Sequence, residues 1–531
     1  MATLSGKRKR VDGALEVQPA KKQATTVAAS QQKPSTTKER SSSKAPSKAD
    51  VSARTNGSHG QDHYHVQIVT GSYERVLHGI SASIPREKLL RHTETSNGTD
   101  IEAPAKASNT ENITFSDTFL FAAHESAIRC LAISPPTDES EKRYLATGDS
   151  GQRINVYSLS TALPAPSQGP KLASLSGASI TVNRRNQNLG SLNIHERAIT
   201  RLQYPTKTKL FSAAEDATIQ ITRTKDWTTL DSIKAPIPKP QGRPSGDTAA
   251  PGEVPAGVND FAIHPSQKLM LSVGRGEKCL RLWNLMTGKK AGVLNFDRDL
   301  LAQVGEGRFA SGEGRKVLWE EPADLETVGE LCFVVGFERA AALYGVDTRP
   351  KAVIKPTPST KFHEMRFMTL PSSAKSVLAV STEDGRILFF DVGAIGSVQD
   401  GKLPLVPCVA QLGGAAAGIV GRIKDFDIVP LPEMEAGEHS WLFIAGSSDG
   451  SLRLWTVFED EISSANGGAE SLPRQAGNAI AAQKTDARIT CLGAFVLDGK
   501  VSDPANDATE ALAGAGLEDA EEDESNESDS E

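Results

Sequence analysis

Leu442-Phe-Ile-Ala-Gly-Ser-Ser-Asp-Gly-Ser-Leu-Arg-Leu-Trp455 is the stretch that decides the fold. An apolar run closes on small residues, a Ser-Asp-Gly turn follows, and Leu452 and Leu454 alternate with polar neighbours up to Trp455. Alternation on both sides of a tight turn is what two antiparallel strands with unlike faces require. The unit recurs at 145–157, 210–222, 269–283 and 378–390, ending on Tyr157, Thr222, Trp283 and Phe390.

Ahead of each unit stands a shorter motif: an apolar residue, a gap, a polar or small residue, then a large apolar one. It reads Ile128-Arg-Cys-Leu131, Ile199-Thr-Arg-Leu202, Val258-Asn-Asp-Phe261, Ile423-Lys-Asp-Phe426 and, more loosely, Glu364-Met-Arg-Phe367. A last copy, Ile489-Thr-Cys-Leu492, has no unit after it. Each full repeat is therefore strand, strand, turn, strand. The pattern resembles WD repeats, with Trp283 and Trp455 where that family's Trp-Asp dipeptide falls. Asp216, Asp384 and Asp449 take the turn position, Glu277 replaces it in the third unit, and His124 and His195 stand where the family places a histidine. In such repeats the turn carboxylate accepts from His, which bonds a Ser or Thr, which bonds the indole N–H. A buried donor left unpaired costs about 1–3 kcal/mol, so these residues read as structural, and the units as degenerate.

A closed propeller needs a blade shared by the chain ends. Ile489-Thr-Cys-Leu-Gly-Ala-Phe-Val-Leu497 is a strand without a unit, and the stretch from His65 to Ile80 is a strand pair without a first strand. Joined, they make one blade; with the five units and a divergent blade within 295–355 the expectation is an all-β, seven-bladed propeller over 64–497. Stretches near 82–112, 162–188, 235–256, 304–328, 394–418 and 462–488 read as long inserts, beyond what compact domains usually carry.

The flanks differ in kind. Residues 1–60 hold 12 Lys and Arg against 4 Asp and Glu, whereas 501–531 hold 12 acidic residues and no basic one. With a formal total of −7, about −3 is left for the middle. Both flanks lack the apolar content to offset chain entropy and read as disordered. Lys7-Arg-Lys-Arg10 and Lys21-Lys22, ten residues apart, form a two-cluster signal for importin and hence the nucleus. The acidic tail suits basic partners such as ribosomal proteins.

Several chemistries are disfavoured. No apolar run reaches the ~18–20 residues of a membrane helix, and no signal peptide follows the basic start; a soluble, non-secreted protein is expected. Five scattered cysteines form no Cys-x-x-Cys pair, so neither a disulfide framework nor zinc is indicated. Gly305-Glu-Gly-Arg-Phe-Ala-Ser-Gly-Glu-Gly-Arg-Lys316 lacks the Gly-Lys-Ser/Thr ending of a phosphate loop, and His63 and His65 have no third ligand near in sequence. No enzyme activity, cofactor or metal is expected. A basic patch for RNA would have to be assembled from separate blades, for example by Arg201, Lys207, Lys209, Arg422 and Lys424.

One set of segments narrows the match. Val258-Asn-Asp-Phe-Ala-Ile-His-Pro-Ser-Gln-Lys-Leu-Met-Leu-Ser-Val-Gly274, Leu282-Trp-Asn-Leu-Met-Thr-Gly-Lys-Lys290, Gly71-Ser-Tyr-Glu-Arg-Val-Leu77 and Arg488-Ile-Thr-Cys-Leu-Gly493 resemble the maintenance-of-killer family of WD-repeat proteins, whose animal relatives are described as PAK-kinase-interacting. The turn Arg275-Gly-Glu-Lys-Cys-Leu280 departs from that family's Lys-Asp-x-Thr-Leu. The resemblance implies a non-enzymatic nucleolar scaffold for 60S ribosomal subunit assembly, binding pre-60S assembly factors, ribosomal proteins and, within the particle, pre-rRNA. It also implies inhibition of a PAK-type kinase as the alternative. A nuclear substrate receptor or chromatin adaptor is a third reading, since fold does not fix function. A monomer is expected.

Overall fold

The short motif marks the innermost strand of six of the seven sheets. Ile128–Ile133, Ile199–Thr206, Val258–Ile263, Phe362–Leu370, Ile423–Pro430 and Ile489–Val496 each form one edge of a sheet and lie beside the inner strands of neighbouring sheets. In five of them pairing slips at the second motif residue, so Arg129, Thr200, Asn259, Lys424 and Thr490 are bulged out. A bulge adds one residue and bends the strand. That is the physical content of the gap: the apolar residue before it packs between sheets, where Ile128, Ile199, Val258, Ile423 and Ile489 are at most 1% exposed.

The computed structural model of the chain describes residues 63–91, 112–137, 141–163, 183, 185–237, 256–307, 310–320, 331–395, 401–419, 421–433, 438–463 and 473–498. They form seven sheets, six of four strands and one of five, stacked around a common axis as a seven-bladed β-propeller. Blade 1 draws on both ends of the described chain. Its inner strand is Ile489–Val496, followed outward by His63–Ser72, Val76–Pro85 and Thr114–Ala122. Val66 lies opposite Val496 and Ile68 opposite Ala494. Blades 2 to 7 then follow in chain order. The apolar faces meet between blades: Phe389 of blade 6 packs edge-on against Phe443 of blade 7, with ring centroids 5.3 Å apart. Small residues allow the approach. A β-carbon at Gly148 or Gly446 would lie 2.7 Å from Ile199 or Ile489 of the next blade.

Five of the stretches read as inserts contain strand residues, 82–112 only the end of Val76–Pro85. The 304–328 stretch holds Lys316–Trp319, the inner strand of blade 5. The 394–418 and 462–488 stretches hold Cys408–Gly413 and Asn478–Lys484, outer strands of blades 6 and 7, and 162–188 includes the start of Gln187–Leu192 in blade 2. The reason is burial. Gln187–Leu192 and Asn478–Lys484 bury no side chain fully, so they need no apolar alternation, and Lys316–Trp319 is only four residues long. The blade 5 partners Phe333–Gly336 and Ala341–Tyr344 are buried throughout. Lys7, Arg8, Lys9, Arg10, Lys21 and Lys22, and the acidic run, lie outside the described residues. Among the described residues no helix is long and apolar enough to cross a membrane.

Candidate functional site

The repeat residues are tied into the blades. In blade 3, His195 Nδ1 donates to Asp216, 3.0 Å away, and its Nε2 lies 2.8 Å from Ser212 Oγ. Burial alone would raise the Asp216 carboxyl, but bonds from His195 and Thr218 hold it down at about 2. In blade 2, His124 Nε2 lies 2.8 Å from Thr147 Oγ1 and its Nδ1 faces Asp149 at 3.3 Å. Burial keeps the His124 ring below its usual range despite Asp149, so the neutral ring donates from Nδ1 and accepts at Nε2. Asp149 escapes a sequence reading because it sits two residues after Thr147, whereas Asp216 sits four after Ser212. Tyr157 and Thr222 occupy the aromatic position in these two blades.

The remaining blades keep fragments. Trp283 donates its indole N–H to Ser272 Oγ at 2.8 Å, while Glu277 turns away to grip Arg281. Asp384 binds Thr382 and the Arg386 guanidinium, Asp449 takes the backbone N–H of Ser451, and Trp455 is buried at 3% exposure beside Phe443. All of these groups serve turns or packing within their own blades.

What the sequence concealed is a charge network on the axis. Arg201 reaches Asp260 at 3.3 Å and Glu364 at 3.2 Å, Lys316 reaches Glu364 at 2.5 Å, and Arg366 lies 3.7 Å from both Asp425 and Asp427. The carboxylates have a second task. An inner strand is a sheet edge with unpaired N–H groups, and Asp260 accepts from Val317 of blade 5, Asp425 from Leu492 and Asp427 from Ala494 of blade 1. The network thus stitches inner strands that no ladder joins. Four carboxylates meet three cations, so one negative charge is in excess. Burial and neighbouring Glu364 accordingly push Asp425 up to about 7, whereas Lys316 and Arg201 overcome burial to hold Glu364 low. The available signal was the third motif residue: Arg201, Asp260, Arg366 and Asp425 are charged, each directly before a large apolar residue of an inner strand.

A cavity opens on either side of this network. Where the inner strands finish, a cavity of about 840 Å³ is lined by Arg143, Arg201, Tyr204, Arg366, Asp427 and Trp441 among others. A neighbouring cavity of about 260 Å³ shares Tyr204 and reaches Trp319. At this far end the Arg143 Nε, Gln203 Oε1, Tyr204 hydroxyl and Trp319 indole N–H are buried and find no hydrogen-bond partner among the described residues. Such groups cost about 1–3 kcal/mol each unless something bonds them, and together they offer both donors and acceptors beside apolar walls. Where the inner strands begin, beside the repeat turns, a cavity of about 630 Å³ is lined by Tyr73, Arg75, Arg129, Ser150, Lys424 and Thr490.

The five residues considered above for a basic patch do not come together. Arg201 is spent inside the network, Lys207 and Lys209 sit at the far end, and Arg422 and Lys424 belong to the turn end. The His63 and His65 rings stack with centroids 6.2 Å apart. Among the described residues no group of three His, Cys, Asp or Glu is placed to hold a metal.

No family profile matches the chain. It is 26% identical over 422 residues to Protein MAK11 of Saccharomyces cerevisiae, covering 74% of this chain and 78% of that protein. It is 22% identical over 434 residues to the p21-activated protein kinase-interacting protein 1-like of Xenopus laevis, covering 82% and 83%. A shorter match, 22% over 232 residues, joins it to Shk1 kinase-binding protein 15 of Schizosaccharomyces pombe. With the propeller described above, the first two similarities, each over about three quarters or more of the chain, support a resemblance to MAK11 and the p21-activated protein kinase-interacting protein 1-like proteins.

Proposed function

We propose that this chain is a non-enzymatic scaffold for assembly of the 60S ribosomal subunit, working in the nucleus and nucleolus. It holds assembly factors and ribosomal proteins on the propeller and meets pre-rRNA within the particle. The observation that carries the binding reading is the far end of the channel, where unpartnered buried polar groups face cavities of about 840 and 260 Å³. Those donors and acceptors beside apolar walls suit an extended protein segment better than a small substrate. The ribosomal setting is supported by the resemblance to the maintenance-of-killer family and by the similarity to MAK11. Import rests on Lys7, Arg8, Lys9, Arg10, Lys21 and Lys22, and deleting residues 1–25 should shift the protein to the cytoplasm. The second reading is binding and inhibition of a PAK-type kinase; the names of two relatives favour the binding part. Affinity purification of the tagged chain with protein and RNA profiling separates the two. Recovery of large-subunit precursor rRNA with assembly factors supports the scaffold, and a kinase without rRNA supports the alternative.

A further inference from the structure

We propose that the turn end of the channel is an anion site that receives a compact acidic stretch of a protein partner. The inference rests on the binding-scaffold reading and not on the ribosomal one. The cavity there is lined by Arg75, Arg129 and Lys424, with the Ser150 and Thr490 hydroxyl residues and the exposed Tyr73 ring, and no lining residue carries a carboxylate. Around it the acids are already shared. Glu215 serves Arg129 at 2.8 Å and Arg275 at 3.2 Å, Glu338 serves Lys361 at 2.8 Å and Arg315 at 3.4 Å, and Glu383 takes Arg422 at 3.2 Å.

Three cations are left over. Among the described residues the Arg75 side chain bonds only the carbonyl of Glu125, Arg488 lies over the Tyr73 ring at 5.5 Å, and Lys424 has no carboxylate partner. Burial and the nearby Arg422, Arg488 and Lys361 hold the Lys424 ammonium below its usual range. Like charges so gathered repel each other in the empty fold and are relieved by an anion. This excess sits in a propeller whose middle residues sum to about −3. The positive charge is therefore local, contributed by bulge and turn positions of blades 1, 2 and 7 that are far apart in sequence.

The shape limits the ligand. The cavity of about 630 Å³ holds a few side chains, and the ion-pair network beneath prevents deeper entry. A nucleic-acid strand laid across this face would bring its next phosphates onto Glu74, Glu125 and Glu215. Two or three carboxylates presented together avoid those acids and suit the guanidinium of Arg75 and the ammonium of Lys424.

The test uses the full chain and two fluorescent probes, a decapeptide with three consecutive Glu residues flanked by Gly and Ser, and a 15-nucleotide single-stranded RNA. Peptide affinity should fall at least about tenfold in the Arg75→Glu, Lys424→Glu double variant, while RNA affinity changes less than about twofold. Lys424→Met alone should raise the thermal midpoint without peptide and weaken peptide binding, a pairing that a purely structural lysine would not show. It also serves if the double variant does not fold. Absent peptide binding by the wild type, unchanged peptide affinity in the variants, or an equal loss for RNA would each overturn the proposal.

Discussion

Ending the chain at residue 485 should prevent the propeller from closing. The cut removes Ile489–Val496, the inner strand of blade 1, with Ile489, Leu492 and Phe495 all at most 2% exposed. At about 1.5–3 kcal/mol for each fully buried side chain, their loss alone costs roughly 5–9 kcal/mol. Further terms add to this. The ladder to Val66–Ser72 residues disappears, Asp425 and Asp427 lose the N–H groups of Leu492 and Ala494, and Thr490 no longer bonds the carbonyls of Gly71 and Ile128. A domain holds only about 5–15 kcal/mol in total, so the sum exceeds what the ring can lose. The exposed edges of blades 1, 2 and 7 would then pair between molecules. Expression of 1–485 and 1–500 side by side, followed by limited proteolysis and size-exclusion chromatography, is the assay. The longer chain should be soluble and resistant, the shorter one aggregated or rapidly cut. A soluble, monomeric, protease-resistant 1–485 would refute the closure argument.

Other predictions follow from the same contacts. Trp455→Ala should cost about 3–5 kcal/mol, read as a thermal or urea midpoint, and an unchanged midpoint would mean the indole is not part of the blade 6 and 7 core. Gly148→Ala should destabilise by about 1–3 kcal/mol, because its methyl would fall 2.7 Å from Ile199; neutrality would show that the two blades can move apart. Asp425, raised to about 7 against an ordinary 3.8, keeps its proton in the folded state after the unfolded chain has lost it. Its contribution to stability is thus complete below about pH 4 and lost as pH rises through 7, with a slope of at most about 1.4 kcal/mol per pH unit for one proton. Urea unfolding from pH 5 to 7 should show that slope in the wild type and lose it in Asp425→Asn; equal slopes would contradict it.

How much could be read in advance depended on what each residue has to satisfy. Ile128, Ile199, Val258, Ile423 and Ile489 pack between blades and must be apolar, so the inner strands were legible from their motif. Asn478–Lys484 faces solvent on an outer edge and carries no such constraint, so its sequence reads as part of an insert. Lys316–Trp319 hid for a different reason: it is short, and its first residue is a lysine committed to Glu364. The axial network joins Arg201, Asp260, Lys316, Glu364, Arg366 and Asp425 across five blades, and only closure of the ring brings them together. The cationic mouth is likewise a product of topology, because Arg75, Arg129 and Lys424 come from turns and bulges with no charge run in sequence.

Depleting the protein in its native cells and measuring the ratio of free 60S to 40S subunits on sucrose gradients, with pulse-labelled rRNA, tests the central claim most directly. The account predicts a fall in 60S relative to 40S with large-subunit precursors accumulating or being degraded. An unchanged 60S to 40S ratio and normal precursor processing, with kinase signalling altered instead, would contradict it.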